Sequence, residues 1–430
     1  MLEKTPLKTD KAQPSRRSAF FLLFFSLMAI GAGNTMLIAA VIPPLTRELG
    51  LPDWMAGAIF SVSALCWALT SPFWGKKSNQ WGRRRVATMG LAGYAVSMLL
   101  LLFAAWAAVS ELLTGAFAIF ACLGLSRGVF GVLGSGTTPA AQAYVADRTT
   151  QGERQNEIAF ISSGFSFGTV VGPAFAAVLV ANFGLLSPLV ITSLLAATMA
   201  VVVWRFLPEN REPVEDANKV ANAQSSVGLW RSSRVLPFLT YAITLSLVTG
   251  ILTQVFVFAV MDKLEVSGAQ AAAYTGPAFM VGAMAVMTAQ LALIPRLKLR
   301  NKTLMILGCV PLLVGALLLI PAQDFATLIL AQFFIGLGQG LTRPGFSAGA
   351  SLAVPPHLQG NVAGLIISAN GAGFIITPIF GLFIYQYVDP SLPFWICVAL
   401  LVGMAAFAQF AIAPGLGEAD EDDVSNEAGS

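Results

Sequence analysis

Long runs of apolar residues, separated by short polar segments, dominate the pattern of this chain. Each run holds about 20 residues, the length that an α-helix needs to cross the hydrocarbon core of a bilayer. Hydrophobic residues make up 56% of the 430 residues, and charged residues only 11%, less than half of the roughly 25% found in soluble domains. The pattern predicts an all-α membrane protein with twelve transmembrane helices, at 19–42, 52–74, 86–107, 112–134, 158–182, 185–207, 235–260, 270–293, 303–321, 324–346, 360–383 and 388–412.

The predicted helices divide into two related halves. With an offset of 205 residues, Pro139 matches Pro344 and Pro173 matches Pro378. Chance sharing of small residues explains single glycine matches but poorly explains two prolines at one offset. Parallel six-helix repeats are typical of carriers that rock one half against the other. We therefore expect two pseudo-symmetric six-helix bundles at 19–207 and 234–412, a cytoplasmic linker at 208–233, a cytoplasmic leader at 1–18 and an acidic cytoplasmic tail at 413–430.

Basic residues are concentrated on one side of the predicted membrane. Most of the 25 Lys and Arg fall in the leader and in the even-numbered connections, so the positive-inside rule predicts that both termini are cytoplasmic. The expected location is a bacterial-type inner membrane. Because the basic residues occupy separate short loops and form no continuous stripe, the net charge of +3 predicts no nucleic-acid partner.

The four cysteines lack the spacing of metal ligands. We expect a monomer in the lipid bilayer, with no metal and no cofactor.

A tight loop between predicted helices 2 and 3 carries the sequence GKKSNQWGRRR, in which Gly75 and Gly82 permit sharp turns. The loop resembles the GxLaDrxGRrp motif of the major facilitator superfamily. In that family the loop latches the cytoplasmic side when the transporter faces outward, with its aspartate at the N-terminal end of helix 11, where negative charge is favoured. Here Asn79 replaces the aspartate. Asn accepts a hydrogen bond but brings no charge, which predicts a weaker latch than in relatives.

Predicted helix 4 places Arg127 about 15 residues into its apolar span. The surrounding sequence, LSRGVFG, resembles the RxxxG element of the same family. An unpaired guanidinium near the bilayer centre costs several kcal/mol, so a functional role is the first expectation for Arg127. The structural alternative is an arginine that snorkels or bonds helix carbonyls and thereby holds two helices together.

Predicted helix 5 carries glycines at every fourth residue, followed by a proline, in the sequence GFSFGTVVGP. Glycines at this spacing share one helix face and allow a neighbouring backbone to approach closely. A plain packing face is therefore one interpretation. The added Gly-Pro resembles the antiporter motif of drug:proton exporters, in which the element is associated with export. The motif residues are Gly164, Gly168, Gly172 and Pro173.

Helices 4–5 and 10–11 taken together resemble the tetracycline-efflux branch of the major facilitators. This resemblance implies export driven by protons. It also implies a cytoplasmic ion pair between Arg83 and Asp147 that opens and closes with the loop, with Arg154 as a further gating residue.

The acidic residues do not follow the pattern of a proton-driven exporter. Such exporters normally hold a carboxylate within the membrane, because a group that binds substrate and proton in turn needs a pKa shifted by burial and neighbours. All 22 acidic residues of this chain map to loops, tails or helix ends. Proton antiport thus follows from the resemblance and not from a visible buried acid.

A second arginine, Arg343, lies within predicted helix 10 and directly precedes Pro344. It could satisfy the backbone carbonyl that the proline frees, or it could bind a ligand. Two membrane arginines without membrane carboxylates favour an anionic substrate, because guanidinium binds carboxylate in a bidentate manner. The other polar candidates for substrate binding or coupling, each of which is also a candidate helix-packing contact, are Asn34, Gln254, Gln339 and Asn370.

Two transport functions remain open from the sequence. The first is secondary-active export of a small drug-like or secondary-metabolite molecule by proton antiport with alternating access. The second is a carrier for an organic anion, such as a carboxylate siderophore or metabolite, with Arg127 and Arg343 as its charge partners. No GxSxG, HExxH or phosphate-binding loop occurs in a suitable context, so an enzyme is not expected.

Overall fold

The computed structural model describes residues 16–149, 151–209, 226–297, 299–355, 358–413 and 415–417. Within these residues the chain forms no strand, and twelve helices are long and apolar enough to span a membrane. The expected all-α membrane protein is therefore confirmed. The helices α1–α12 are Arg16–Glu48, Asp53–Trp81, Arg83–Val109, Ala116–Ala146, Gln151–Phe183, Ser187–Phe206, Leu236–Lys263, Gln270–Leu297, Asn301–Leu319, Phe325–Leu352, Gln359–Tyr387 and Leu392–Ala411.

Helix α1 is longer than its apolar run indicates. It continues to Glu48, past the expected end at 42, although Pro43 and Pro44 interrupt the sequence. A π-helical segment at Leu37–Val41 precedes the prolines, which occupy the first turn of the renewed α-helix. A proline is tolerated in a first turn, because its missing N–H would have no intrahelical acceptor there. The helix therefore carries Arg47, near its end, toward the second half of the chain.

The two halves pack their helices in the same way. In the first half α1 contacts α5, α2 contacts α4, and α3 contacts α4 and α6. In the second half the corresponding pairs recur, with α7 on α11, α8 on α10, and α9 on α10 and α12. The halves meet where α2 packs on α11 and where α5 packs on α8. The same set of helix contacts thus occurs in both halves, in agreement with the repeat that the offset of 205 residues indicates.

One end of the bundle holds the contacts between the halves. We call it the Arg47 end, and the opposite end, at the α2–α3 junction, the Arg83 end. The hydrogen bonds that join the halves among the described residues lie toward the Arg47 end. The backbones of α8 and α5, from different halves, also pack closely on this side. A methyl group on Gly276 of α8 would lie 2.9 Å from the Pro173 carbonyl oxygen of α5. The structure is therefore closed at the Arg47 end.

Candidate functional site

Arg127 is buried in the first half, with only 2% of its surface exposed. Its Nη2 donates to Asn34 Oδ1 of α1 at 2.9 Å and, more weakly, to Ser63 Oγ of α2 at 3.4 Å. Its guanidinium lies over the rings of Phe130, at 4.7 Å, and Phe60, at 5.8 Å. Two of the residues that border Arg127, Ser63 and Phe60, are not apparent from sequence motifs.

The hydrogen bonds of Arg127 are incomplete. Its Nε and Nη1 are buried and have no hydrogen-bond acceptor among the described residues, and no described carboxylate pairs with it. The hydroxyl of Tyr94, from α3, is also buried without a partner. Buried polar groups are normally paired, and an unpaired buried charge is especially costly. Arg127 therefore retains the capacity to bind an acceptor group that the chain itself does not supply.

A π-helical segment begins at Phe130, shortly after Arg127, and influences how α4 presents that arginine. This segment, Phe130–Gly134, disturbs the regular backbone ladder, and π segments frequently occur at functional sites. Side chains of α2 bind the nearby carbonyls: Trp74 Nε1 donates to Val132 O at 2.5 Å, and Thr70 Oγ1 donates to Gly131 O at 3.2 Å. Helix α2 thus holds the irregular part of α4 and, with it, the position of Arg127.

Helix α10 is the counterpart of α4 in the second half. The offset of 205 residues relates Arg127 to Gln332, a buried residue that the sequence motifs do not single out. Gln332, Gln339 and Arg343 stand at i, i+7 and i+11, so they form one stripe along α10. The side chain of Arg343 is exposed, and it has no hydrogen bond or ion pair with a described residue. The expected alternative, in which it satisfies a carbonyl freed by Pro344, is not what the structure shows.

The remaining polar candidates are not all brought together. Asn34 binds Arg127 directly. Gln254 of α7 is buried, and its Oε1 has no partner among the described residues. The backbone carbonyl of Asn370 accepts a hydrogen bond from Ser246 Oγ at 2.5 Å. Of these candidates, only Asn34 is joined to Arg127 by a hydrogen bond in the described part of the chain.

The glycines of α5 form a close contact with α1. A methyl group on Gly164 would lie 2.3 Å from the Phe24 carbonyl oxygen, and one on Gly168 would lie 2.1 Å from the Met28 carbonyl oxygen. At Gly172 it would lie 2.3 Å from Thr35 Oγ1. The packing interpretation of this motif therefore holds in the structure. Pro173, the next residue, reaches α8 of the other half, so the motif links α1 to the interface between the halves.

The predicted loop at 75–85 is helical apart from Gly82, which alone separates α2 from α3. Arg83, the first residue of α3, makes the ion pair that the family resemblance implies. Arg83 Nε lies 3.0 Å from Asp147 Oδ2, and Arg83 Nη1 donates to Ser78 Oγ at 2.6 Å. Arg84 pairs with Glu209, the start of the linker, at 3.3 Å. Gly82, which has a φ of +96°, lies against the Glu209 carboxylate and has no room for a side chain. Glu209 thus supplies a negative charge to this basic segment, a contact that the sequence did not suggest.

The other gating candidates make no comparable contact. Asn79 is exposed, and no described residue is hydrogen-bonded to its side chain. Gly75 has open space around it. The side chain of Arg154 lies outside the described part of the structure. Asn79 thus makes no latch contact with a described residue in this structure.

Asn79→Asp is expected to increase the share of molecules that are closed at the Arg83 end. The added charge would be attracted to the N-terminus of a facing helix by about 0.3–1 kcal/mol, equivalent to a roughly two- to fivefold change in the population ratio. Distances between spin labels placed across that end measure the ratio. Gln80→Glu adds the same charge at the neighbouring exposed position and serves as the control. An unchanged distribution in Asn79→Asp would contradict the latch interpretation.

Two six-helix halves that pack alike and meet at the Arg47 end, with a buried guanidinium inside the first half, are the architecture of a membrane carrier for small molecules. The sequence matches the family model described as the Major Facilitator Superfamily over residues 23–299 and 294–427. These segments cover more than half of the chain, which therefore belongs to the Major Facilitator Superfamily. Members of this family are transporters and not enzymes, so the expectation that the chain is not an enzyme is confirmed.

Similar proteins include ones named for resistance to several drugs or to tetracycline. Multidrug resistance protein 2 of Bacillus subtilis (strain 168) is 26% identical over 382 residues, which cover 86% of this chain and 90% of that protein. Tetracycline resistance protein, class B, of Escherichia coli is 24% identical over 412 residues, which cover 91% and 93%. Both names agree with the resemblance to the tetracycline-efflux branch.

The fold is also found in a solved transporter structure. A D-xylose-proton symporter superposes with a TM-score of 0.75 over 94% of this chain and 99% of that chain. The two sequences are 13% identical, so the similarity concerns the fold alone.

Proposed function

We propose that the chain exports a small drug-like or secondary-metabolite molecule by proton antiport with alternating access. The names of the relatives and the α5 motif support export. The bacterial relatives support location in a cytoplasmic membrane. The positive-inside distribution of Lys and Arg supports the placement of both termini in the cytoplasm. In that orientation the closed Arg47 end is extracellular.

The observation that carries the proposal is the incompletely bonded guanidinium of Arg127. Its two unpaired donors lie in the first half, at a depth of roughly 16 Å from the start of α4 at the Arg47 end. A site near the midplane, between two repeats, is where carriers of this architecture bind substrate. The aromatic rings of Phe60 and Phe130 beside the guanidinium suit a largely apolar molecule with one acceptor group.

A second candidate function is transport of an organic anion. Arg343 favours it, because this exposed guanidinium lies within a membrane span and has no carboxylate partner among the described residues. Cationic side chains within spans usually face a cavity and mark a substrate or ion pathway. Arg343 lies roughly 10 Å farther from the Arg47 end than Arg127 does along the helix axes, so an anion entering from the Arg83 end would meet it first.

Everted membrane vesicles that contain the chain are expected to accumulate substrate when their lumen is acidified. The proton gradient then drives the molecule into the lumen, which corresponds to the outside of the cell. Radiolabelled or fluorescent cationic, neutral and anionic compounds provide the panel, and vesicles without the chain give the baseline. Accumulation that persists after a protonophore collapses the gradient would reject proton coupling. A strict preference for anions would favour the second candidate.

A further inference from the structure

Helix α1 contains a backbone carbonyl that its own helix cannot pair. An α-helix pairs the carbonyl of a residue with the N–H four residues later, and a π-helix with the N–H five residues later. For Ala39 these two positions are Pro43 and Pro44, neither of which has an N–H. The N–H three residues later, of Ile42, donates to Leu37 O. The tandem prolines therefore deprive the Ala39 carbonyl of the donors that a helix normally supplies.

The donor for this carbonyl comes from the other half of the molecule. Thr275 Oγ1 of α8 donates to Ala39 O at 2.7 Å. Thr275 is fully buried, and Ala39 is 1% exposed, so the bond lies in the interior of the molecule. A buried carbonyl that loses its donor costs about 1–3 kcal/mol. This single uncharged bond therefore stabilises the packing of α8 on α1.

The hydroxyl of Thr275 does not follow the usual behaviour of a helical threonine. Within helices a threonine hydroxyl commonly bonds the carbonyl three or four residues earlier in its own helix. Thr288, on the same helix, donates to Met284 O at 2.9 Å in this way. Thr275 donates to a carbonyl of another helix in the other half. Its bond thus reflects the contact between α8 and α1 and not a local preference of threonine.

Glycines before and after Thr275 allow α8 to approach the first half closely. A methyl group on Gly268, at the beginning of the same helical segment, would lie 2.9 Å from Pro44 Cα of α1. A methyl group on Gly276, next to Thr275, would lie 2.9 Å from the Pro173 carbonyl oxygen of α5. Helix α8 thus packs directly against two proline-containing stretches of the first half.

We propose that Thr275 is the residue that positions α8 on α1, because it supplies the hydrogen bond that Pro43 and Pro44 remove. The proposal rests on the alternating-access part of the proposed function, but neither the substrate nor proton coupling enters it. When the halves separate at the Arg47 end, the Ala39 carbonyl faces the opening between them, where water satisfies it. The bond from Thr275 therefore stabilises the closed arrangement and not the open one.

Thr275→Val is expected to raise the ratio of open to closed molecules about 5- to 150-fold, because the closed arrangement alone then contains an unpaired buried acceptor. Valine keeps the shape of threonine and removes the hydroxyl. The ratio is measured in nanodiscs without substrate, as the distance between spin labels at Leu112 and Val388, which are exposed at the Arg47 end, one in each half. The labelled chain has its four native cysteines changed to alanine or serine.

Two control variants test whether the hydroxyl of Thr275 is responsible. Thr275→Ser keeps a donor at this position, so its ratio should stay close to that of the unchanged chain. Thr288→Val removes a hydroxyl whose bond stays within α8, so it should leave the ratio unchanged. A rise in Thr288→Val as large as the rise in Thr275→Val would contradict the proposal.

The dependence on the prolines provides the decisive comparison. Pro43→Ala gives position 43 an N–H, which lies four residues after Ala39 and so restores a donor within α1. In this background Thr275→Val is expected to raise the ratio at least about fivefold less than in the unchanged chain, because the two changes act on one carbonyl. Equal rises in the two backgrounds would overturn the proposal.

The same comparison applies if Thr275→Val alone does not give folded protein. Addition of Pro43→Ala is then expected to restore a monodisperse protein, since the Ala39 carbonyl regains a donor. A double variant that stays unfolded would also reject the role of Thr275.

The vesicle experiment keeps this proposal separate from the proposed function. Export that ignores the proton gradient, combined with an effect of Thr275→Val that depends on Pro43, would reject antiport and retain the role of Thr275. Proton-driven export, combined with equal effects of Thr275→Val in the two backgrounds, would retain antiport and reject the role of Thr275.

Discussion

Replacing Arg127 by Gln is expected to lower substrate affinity by about 10- to 150-fold, the effect of losing a charge-assisted hydrogen bond. Glutamine can still reach a polar neighbour such as Asn34, but it removes the positive charge and the two donors that have no partner in the chain. Binding of the compounds identified in the vesicle panel to purified protein in nanodiscs measures the change.

The Arg127 variant is expected to fold normally. Removing an incompletely paired buried charge is often neutral or stabilising, because the charge no longer has to be desolvated. The midpoint of thermal unfolding in detergent should therefore be unchanged or higher. Arg231→Gln, an exposed arginine outside the spans, is the control for loss of one positive charge. Unchanged affinity in Arg127→Gln would show that this guanidinium serves helix packing and does not bind substrate.

Gly168→Ala is expected to destabilise the protein by about 1–3 kcal/mol, the usual cost of overpacking. The added methyl group would lie 2.1 Å from the Met28 carbonyl oxygen and 2.7 Å from the Ala32 backbone nitrogen. Backbone atoms cannot move aside as a flexible side chain can, so α1 and α5 would have to separate. The midpoint of thermal unfolding and the yield of monodisperse protein measure the effect.

Gly403→Ala, the control for Gly168→Ala, is not expected to destabilise the protein. Gly403, in the interior of α12, has no atom near the position of an added methyl group. Alanine favours a helix interior over glycine by up to about 1 kcal/mol, so Gly403→Ala should be neutral or stabilising. Equal stability of the two variants would contradict the close α1–α5 packing.

The spans were predictable because membrane helices must satisfy their backbone hydrogen bonds internally and must be apolar over a fixed length. The same reasoning failed locally at Pro43 and Pro44, where a π-helical segment lets α1 continue to Glu48. The α5 glycines were predictable as a close-packing face from their spacing alone. Gln332 could have been found by applying the repeat offset to Arg127.

The ion pair that joins Arg47 of the first half to Asp262 of the second half could not be found in this way. Arg47 and Asp262 are 215 residues apart in the chain and lie at helix ends, where a charged residue raises no expectation. Glu209 belongs to a polar linker that hydropathy describes only as a connection, yet it docks on Gly82 and Arg84. Neither contact follows from local propensity, because each depends on where two separate helices end in space.

The sequence by itself determined the class of protein, the number of helices, the repeat and the presence of Arg127 within a span, since each follows from hydropathy, helix length and residue spacing. Only the tertiary structure decided which groups meet. It left Nε and Nη1 of Arg127 without an acceptor, because Asn34 and Ser63 both accept from Nη2. It also placed one guanidinium between carboxylates of both halves, because α1 and α7 end at the same side of the bundle.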